Sequence, residues 1–197
     1  TAAAHVLHDL DGKIDAVIDG GPCTIGLEST VITLAEETPV LLRPGAVTLE
    51  QLQQVLGTVK MADAVLHQLK QGSVAASPGM KYKHYAPKAQ ITILDADSRE
   101  FVEYVNHHRE EGLFALCFEE DLAGLQVPAI SLGADDEDQA RRLFAALREL
   151  DRRGAKKVYA RCPDKDGVGL AVYNRLIRAA AYHEQSVDDP KQDRYDG

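Results

Sequence analysis

Between residues 90 and 182 the sequence alternates β-branched runs with amphipathic stretches, and this alternation restricts the fold more than any other feature of the chain. "AQITILDA", "LFALCF", "VPAISL" and "KKVYARC" read as strands, each short, apolar and bounded by polar or turn residues. Helices are predicted from Ser98 to about Glu111, from Asp135 to Arg153 and from about Gly169 to Tyr182. In the second of these, Ala140, Leu143, Phe144, Leu147 and Leu150 recur at three- and four-residue steps and so share one buried stripe. Strand–helix alternation of this kind implies a mostly parallel, layered α/β sheet, because parallel neighbours need crossover connections.

The first 57 residues are less regular. Residues 2–10 read as a helix, and "KIDAVIDGG", "LESTVITL" (27–34) and "PVLLRPG" (39–45) as strands. "TLEQLQQVLG" opens with a capping box, Thr48 with Gln51, and closes at Gly57, which marks a short helix with a glycine at its end. From 58 to 90 periodicity fades, and a connection of that length without regular structure is a linker or a functional loop. The last fifteen residues, "HEQSVDDPKQDRYDG", have almost nothing to bury and are expected to be disordered.

Composition excludes several classes. The net charge of -9 leaves no broad cationic footprint for direct, strong nucleic-acid binding. Cys23, Cys117 and Cys162 are odd in number and far apart, so neither a disulfide framework nor a thiolate metal site is indicated, and a reducing cytoplasm is expected. No apolar run approaches the roughly 20 residues needed to span a bilayer. His5, His8, His67, His107, His108 and His183 show no metal-ligand spacing, and no protein-ligated metal is predicted.

Against this acidic background "SPGMKYKHYAPKA" (77–89) crowds Lys81, Lys83, His84 and Lys88 with Tyr82 and Tyr85 between two prolines. Aromatic faces, phenols and ammonium groups in alternation suit a nucleotide, and they equally suit a rigid linker that staples two domains; composition leaves both open. Ser29 in "LESTVI" reads first as a strand-end serine, and Arg43 in "LLRPG" sits where Pro44 and Gly45 force a turn, with its planar fork available to a phosphate or carboxylate. "DKDGVGLAVYNRL" has only a Gly-x-Gly, too little for a dinucleotide fingerprint, and reads as a tight strand-to-helix turn with Asn174 and Arg175 in local bonds. The acidic runs 119–121 and 135–138 read as solvated acids at loops and helix starts.

Taken together and in this order, "GGPCTIGLESTVI", "LLRPGAVT" and "SPGMKYKHYAP" resemble the long form of threonylcarbamoyl-AMP synthase, and "GVGLAVYNRLIRAA" looks like the end of that family's second domain. The resemblance implies the C-terminal part of a YrdC-like α/β domain at 1–57, an extended linker with a nucleotide-covering loop at 58–90, a small Rossmann-like domain at 91–182, and a disordered tail at 183–197. It implies a nucleotidyltransferase that forms threonylcarbamoyl-AMP and pyrophosphate from L-threonine, bicarbonate and ATP, with Mg²⁺ accompanying ATP and a downstream tRNA threonylcarbamoyl transferase machinery taking the product. By the same resemblance Ser29 falls on a threonine contact, Arg43 on an ATP contact, and Lys81, Tyr82, His84 and Tyr85 on a loop that closes over the nucleotide. The family's early Lys-x-Arg element and its Ser-Ala-Asn motif are not found in the sequence, so a fragment is expected, inactive on its own. The rival expectation is a non-catalytic regulatory or interaction module that binds a nucleotide or a partner.

Overall fold

The computed structural model describes residues 2–67 and 86–187. Two sheets organise it. The smaller has β1 (Val31–Thr33), β2 (Val40–Arg43) and β3 (Lys60–Met61) in that order, β1 antiparallel to β2 and β2 parallel to β3. Before it lies α1 (Ala3–Leu10), and between β2 and β3 runs α2 (Leu49–Leu56). The capping box at the start of α2 forms as read: Gln51 N–H donates to Thr48 Oγ1 at 3.3 Å, and Thr48 N–H to Gln51 Oε1 at 3.0 Å.

"KIDAVIDGG" does not form a strand; its Ile14 and Ile18 are 40% and 97% exposed. Backbone pairing requires a neighbouring strand, and among the described residues none lies against this segment.

The larger sheet contains β4 (Gln90–Asp95), β5 (Leu113–Cys117), β6 (Ala129–Ser131), β7 (Lys157–Arg161) and β8 (Glu184–Ser186), in the order β6-β5-β7-β4-β8, with every pairing parallel. The helices are α3 (Ser98–His107), α4 (Asp136–Arg152) and α5 (Gly169–Ala179). Successive strand residues face opposite sides. Ile91, Ile93, Phe114, Leu116, Val158 and Ala160 pack with Leu143, Leu147 and Leu150 of α4 and Val172 and Leu176 of α5. On the other face Leu94, Leu113, Ala115, Cys117 and Tyr159 pack with Phe101 and Val105 of α3. The result is a three-layer α/β/α unit with both sheet faces covered, which is why its strands read as nearly continuous apolar runs.

β8 lies within the tail expected to be disordered. Glu184–Ser186 pairs with Ile93, Leu94 and Asp95 at the edge of β4, so backbone pairing rather than apolar burial orders this polar segment. Residues 188–197 lie outside the described residues. No helix among the described residues is long and apolar enough to cross a membrane.

Candidate functional site

The two strand-end residues singled out in the sequence meet. Arg43 ends β2, pairs in register with Val31, and turns its guanidinium toward the approach to β1. It donates from Nε to the carbonyl of Ser29 at 3.0 Å and from Nη2 to Ser29 Oγ at 3.3 Å. Two of the N–H groups expected to face a ligand are therefore turned onto the neighbouring strand end. Accepting from Arg43 leaves the Ser29 hydroxyl hydrogen available to donate.

The turn after β2 is packed hard against the same strand end. Thr30 Oγ1 donates to the Val47 carbonyl at 2.7 Å, and a Cβ on Gly45 would lie 2.5 Å from the Thr30 nitrogen, so only glycine permits this approach.

Behind the pair stands a buried arginine. Arg175 of α5 is 8% exposed and donates from Nε to Glu28 Oε2 at 3.0 Å, from Nη2 to the Glu28 carbonyl at 3.2 Å, and from Nη1 to the Pro44 carbonyl at 2.5 Å. Asn174 Nδ2 donates to the Val65 carbonyl at 2.6 Å, and Arg178 Nη2 to the Ala64 carbonyl at 3.0 Å. Arg175 makes the expected local bonds, to Asn174 Oδ1 and the Ala171 carbonyl, and both side chains in addition reach residues more than a hundred positions earlier in the sequence. One signal could have shown this. Apart from Asn174, Arg175 and Arg178, α5 is made of apolar residues and one tyrosine, and polar side chains in so apolar a run are buried and have to find partners.

Burial alone would raise the Glu28 carboxyl, but the Arg175 charge and hydrogen bond, with a backbone N–H, hold it below its ordinary value. Burial also pulls the Arg175 guanidinium below its ordinary value, against the pull of Glu28. The carboxylate's direction is the one with a consequence near neutral pH, because a guanidinium stays protonated there.

A second feature lies at the carboxyl ends of the large sheet. Connections leave β5 toward β6 and β7 toward β8, so the chain diverges between β5 and β7, where open α/β sheets place their ligand crevices. A cleft of about 930 Å³ opens there, between Thr48 and Gln51 of the N-terminal part and Glu120, Asp135, Glu137 and Asp164. Gln139 on its wall is 5% exposed, and its Oε1 has no hydrogen-bond partner among the described residues. The acids of the runs 119–121 and 135–138 are not uniformly solvated, contrary to the sequence reading. Asp121 is 1% exposed, paired with Arg161 Nη1 at 2.6 Å, and accepts from Ser98 Oγ and the Phe118 N–H. Asp136 Oδ2 accepts from the Gly169 N–H at 3.0 Å, so the protein's own carboxylate sits at the start of α5 where an anion would otherwise bind.

Asp95, Cys162 and Glu184 are close enough together to suggest a metal cluster, but Lys165 Nζ is bonded to Asp95 at 3.1 Å and Glu184 at 2.7 Å, supplying the cation itself. Burial pushes the Cys162 thiol up to about 12, which disfavours the thiolate a metal needs. Lys81, Tyr82, His84 and Tyr85 lie outside the described residues.

A parallel α/β/α unit clamped by one helix onto a small mixed sheet is the class of protein defined so far. Comparison with known proteins narrows it. Residues 47–181 match the family described as threonylcarbamoyl-AMP synthase, C-terminal domain, and residues 1–45 match the family described as telomere recombination. The chain belongs to the threonylcarbamoyl-AMP synthase family. It is 40% identical over 191 residues to the threonylcarbamoyl-AMP synthase of Pyrococcus abyssi, covering 92% of this chain and 54% of that protein. To the Bacillus subtilis synthase it is 38% identical over 185 residues, covering 91% and 53%. Among solved structures, P. abyssi Sua5 complexed with L-threonine superposes with a TM-score of 0.81 at 39% identity, over 94% of this chain and 55% of that one. The chain spans about half the length of the curated relatives it matches.

Proposed function

We propose that this chain forms part of an enzyme that makes threonylcarbamoyl-AMP and pyrophosphate from L-threonine, bicarbonate and ATP for threonylcarbamoyladenosine modification of tRNA. The observation that carries the reading is the meeting of Ser29 and Arg43 at adjoining strand ends, in a chain of which 94% matches a protein solved with L-threonine. Ser29 is assigned to the threonine contact and Arg43 to the ATP phosphates. Lys81, Tyr82, His84 and Tyr85 are assigned to a loop that covers the nucleotide.

The chemistry needs little from the protein beyond placement and charge. The threonine amine adds to the carbon of bicarbonate-derived carbon dioxide and loses a proton, giving a carbamate. A carbamate oxygen then attacks the α-phosphorus of ATP, and the bond from that phosphorus to the bridging oxygen breaks to release pyrophosphate. Ser29 orients threonine and Arg43 offsets phosphate charge, so reactants meet in a near-attack geometry. Covering the site excludes water, which would otherwise hydrolyse the acyl-adenylate.

Mg²⁺ bound with ATP would supply further charge neutralisation. Glu28, the carboxylate adjoining Ser29 in sequence, is engaged by Arg175 and so is not offered to such an ion. The product passes to a downstream transferase, which agrees with a net charge of -9 and with a cytoplasmic setting.

The test is pyrophosphate release by a polypeptide of the relatives' full length that carries these residues, with threonine and bicarbonate omitted in turn. Release that needs both supports the reading, and release independent of threonine sinks it. Because about half the relatives' length lies outside this chain, the chain alone should release none. The polar cleft favours a second reading, a ligand-binding module without catalysis. Its acids and the Gln139 acceptor, which has no partner among the described residues, oppose a triphosphate there, which argues against the nucleotide-binding version of that module.

A further inference from the structure

Arg175 touches the residue before Ser29 and the residue after Arg43. Its Nη2 and Nη1 reach the backbone carbonyls of Glu28 and Pro44, its Nε reaches the Glu28 carboxylate, and within α5 Nη1 also lies 3.3 Å from Asn174 Oδ1 and 3.5 Å from the Ala171 carbonyl. One planar group, fixed on its own helix, therefore grips both chain segments that carry the site.

We propose that Arg175 is a positioning residue for the site at Ser29 and Arg43, through which the C-terminal domain fixes the separation of the two substrate-binding strand ends. The inference rests on the function proposed above. Its physical basis is the shape of the donor. A guanidinium presents its N–H groups in a rigid fork, so two carbonyls bound to it are held at a set distance; an ammonium on a flexible stem meets one or the other.

Pro44 is buried, and without the fork its carbonyl would lose this donor away from water. The turn at Pro44 and Gly45 would then shift to find another donor. Gly45 is already closer to Thr30 than a side chain would allow, so a shift of the turn passes directly into residues 28–30. Arg43 and Ser29, bonded to one another, move with it. Reacting groups tolerate little displacement: about 1 Å can cost on the order of a hundredfold in rate.

Arg178 provides the comparison, since it joins the same helix to the Ala64 carbonyl. In a polypeptide of the relatives' full length, Arg175→Lys should raise KM for threonine and for ATP each by about tenfold, while Arg178→Lys leaves both within about twofold at a similar loss of melting temperature. KM values unchanged in Arg175→Lys would overturn the proposal, whatever its melting temperature. Should that variant fail to fold, Glu28→Gln keeps an acceptor for Arg175 but removes the ion pair, and it should raise KM for threonine in the same direction; no change would count equally against the proposal.

A second measurement does not depend on the reaction. Hydrogen exchange of the amides at 28–30 and 45–47, on this chain without substrates, should be faster in Arg175→Lys and unaltered in Arg178→Lys. If the unsubstituted full-length polypeptide releases no threonine-dependent pyrophosphate, the functional reading fails by itself, and the exchange measurement alone decides whether Arg175 orders the strand ends; equal exchange in both variants would refute it.

Discussion

Arg43 spans the mouth of the β1–β2 pair to reach Ser29, with 3.0 Å from Nε to the Ser29 carbonyl and 3.3 Å from Nη2 to its Oγ. The proposed threonine contact and the proposed ATP contact are therefore one bonded unit, and neither can be altered alone.

Substitution at this pair should be non-additive. Ser29→Ala removes an acceptor from Arg43, and Arg43→Lys removes the fork that bridges the Ser29 carbonyl and hydroxyl, so each should weaken the use of both threonine and ATP. The double variant should cost less than the two singles together, by a coupling of about 0.5–3 kcal/mol. A double-mutant cycle on kcat/KM in a full-length polypeptide measures this, and strict additivity would show two independent sites.

Tyr82, His84 and Tyr85 belong to the proposed nucleotide-covering loop. Replacing all three by Ala should lower adenylate synthesis and leave the melting temperature nearly unchanged, since a loop that acts on a bound ligand contributes little to the unliganded fold. The reverse, lost stability at full specific activity, would identify the segment as an interdomain staple.

Glu28 should give the fold a dependence on acid. Burial on its own would raise this carboxyl, but Arg175 and a backbone N–H bring it below its ordinary value of 4.5, so the stabilisation is present above that value and is lost as pH falls below it. Urea midpoints at pH 5 and pH 3 should fall further for the natural sequence than for Glu28→Gln. Parallel losses in the two would remove Glu28 from the cause.

β8 should be held by one carboxylate. Glu184 accepts from Tyr173 Oη at 2.6 Å and Lys165 Nζ at 2.7 Å, beside its backbone pairing with Ile93. Glu184→Ala should cost about 1–3 kcal/mol, the loss expected when hydrogen bonds to a charged group disappear. A denaturant midpoint equal to that of the natural chain would mean that backbone pairing alone secures the strand.

The layered unit was legible because its signals are local. The stripe of Leu143, Leu147 and Leu150 and the capping box of Thr48 and Gln51 lie within one or two turns of chain, and the helices formed nearly where they were read. β8 was not legible, since "EQS" carries no β-branched or apolar residue and takes its order from an edge some ninety positions earlier. "EED" misled for a similar reason: the acid that matters, Asp121, is defined by Arg161, forty positions away. Ser29 and Arg43 were visible as candidates, but their bond depends on the β1–β2 register, and Arg175 depends on where α5 docks. Residue types announce themselves in sequence, whereas pairings made by docking do not.

The strand order has a consequence for how the chain is made. Of the large sheet, β4 and β5 leave the ribosome first, yet they do not pair with each other; the place between them belongs to β7, which pairs Lys157 with both Gln90 and Leu113. Until residue 161 has emerged, two apolar strands wait without their shared neighbour, and loop closure over so long a stretch is slow. Vectorial synthesis thus imposes an obligatory late insertion. The nascent domain is most exposed to misassembly in the interval between its second strand and its fourth.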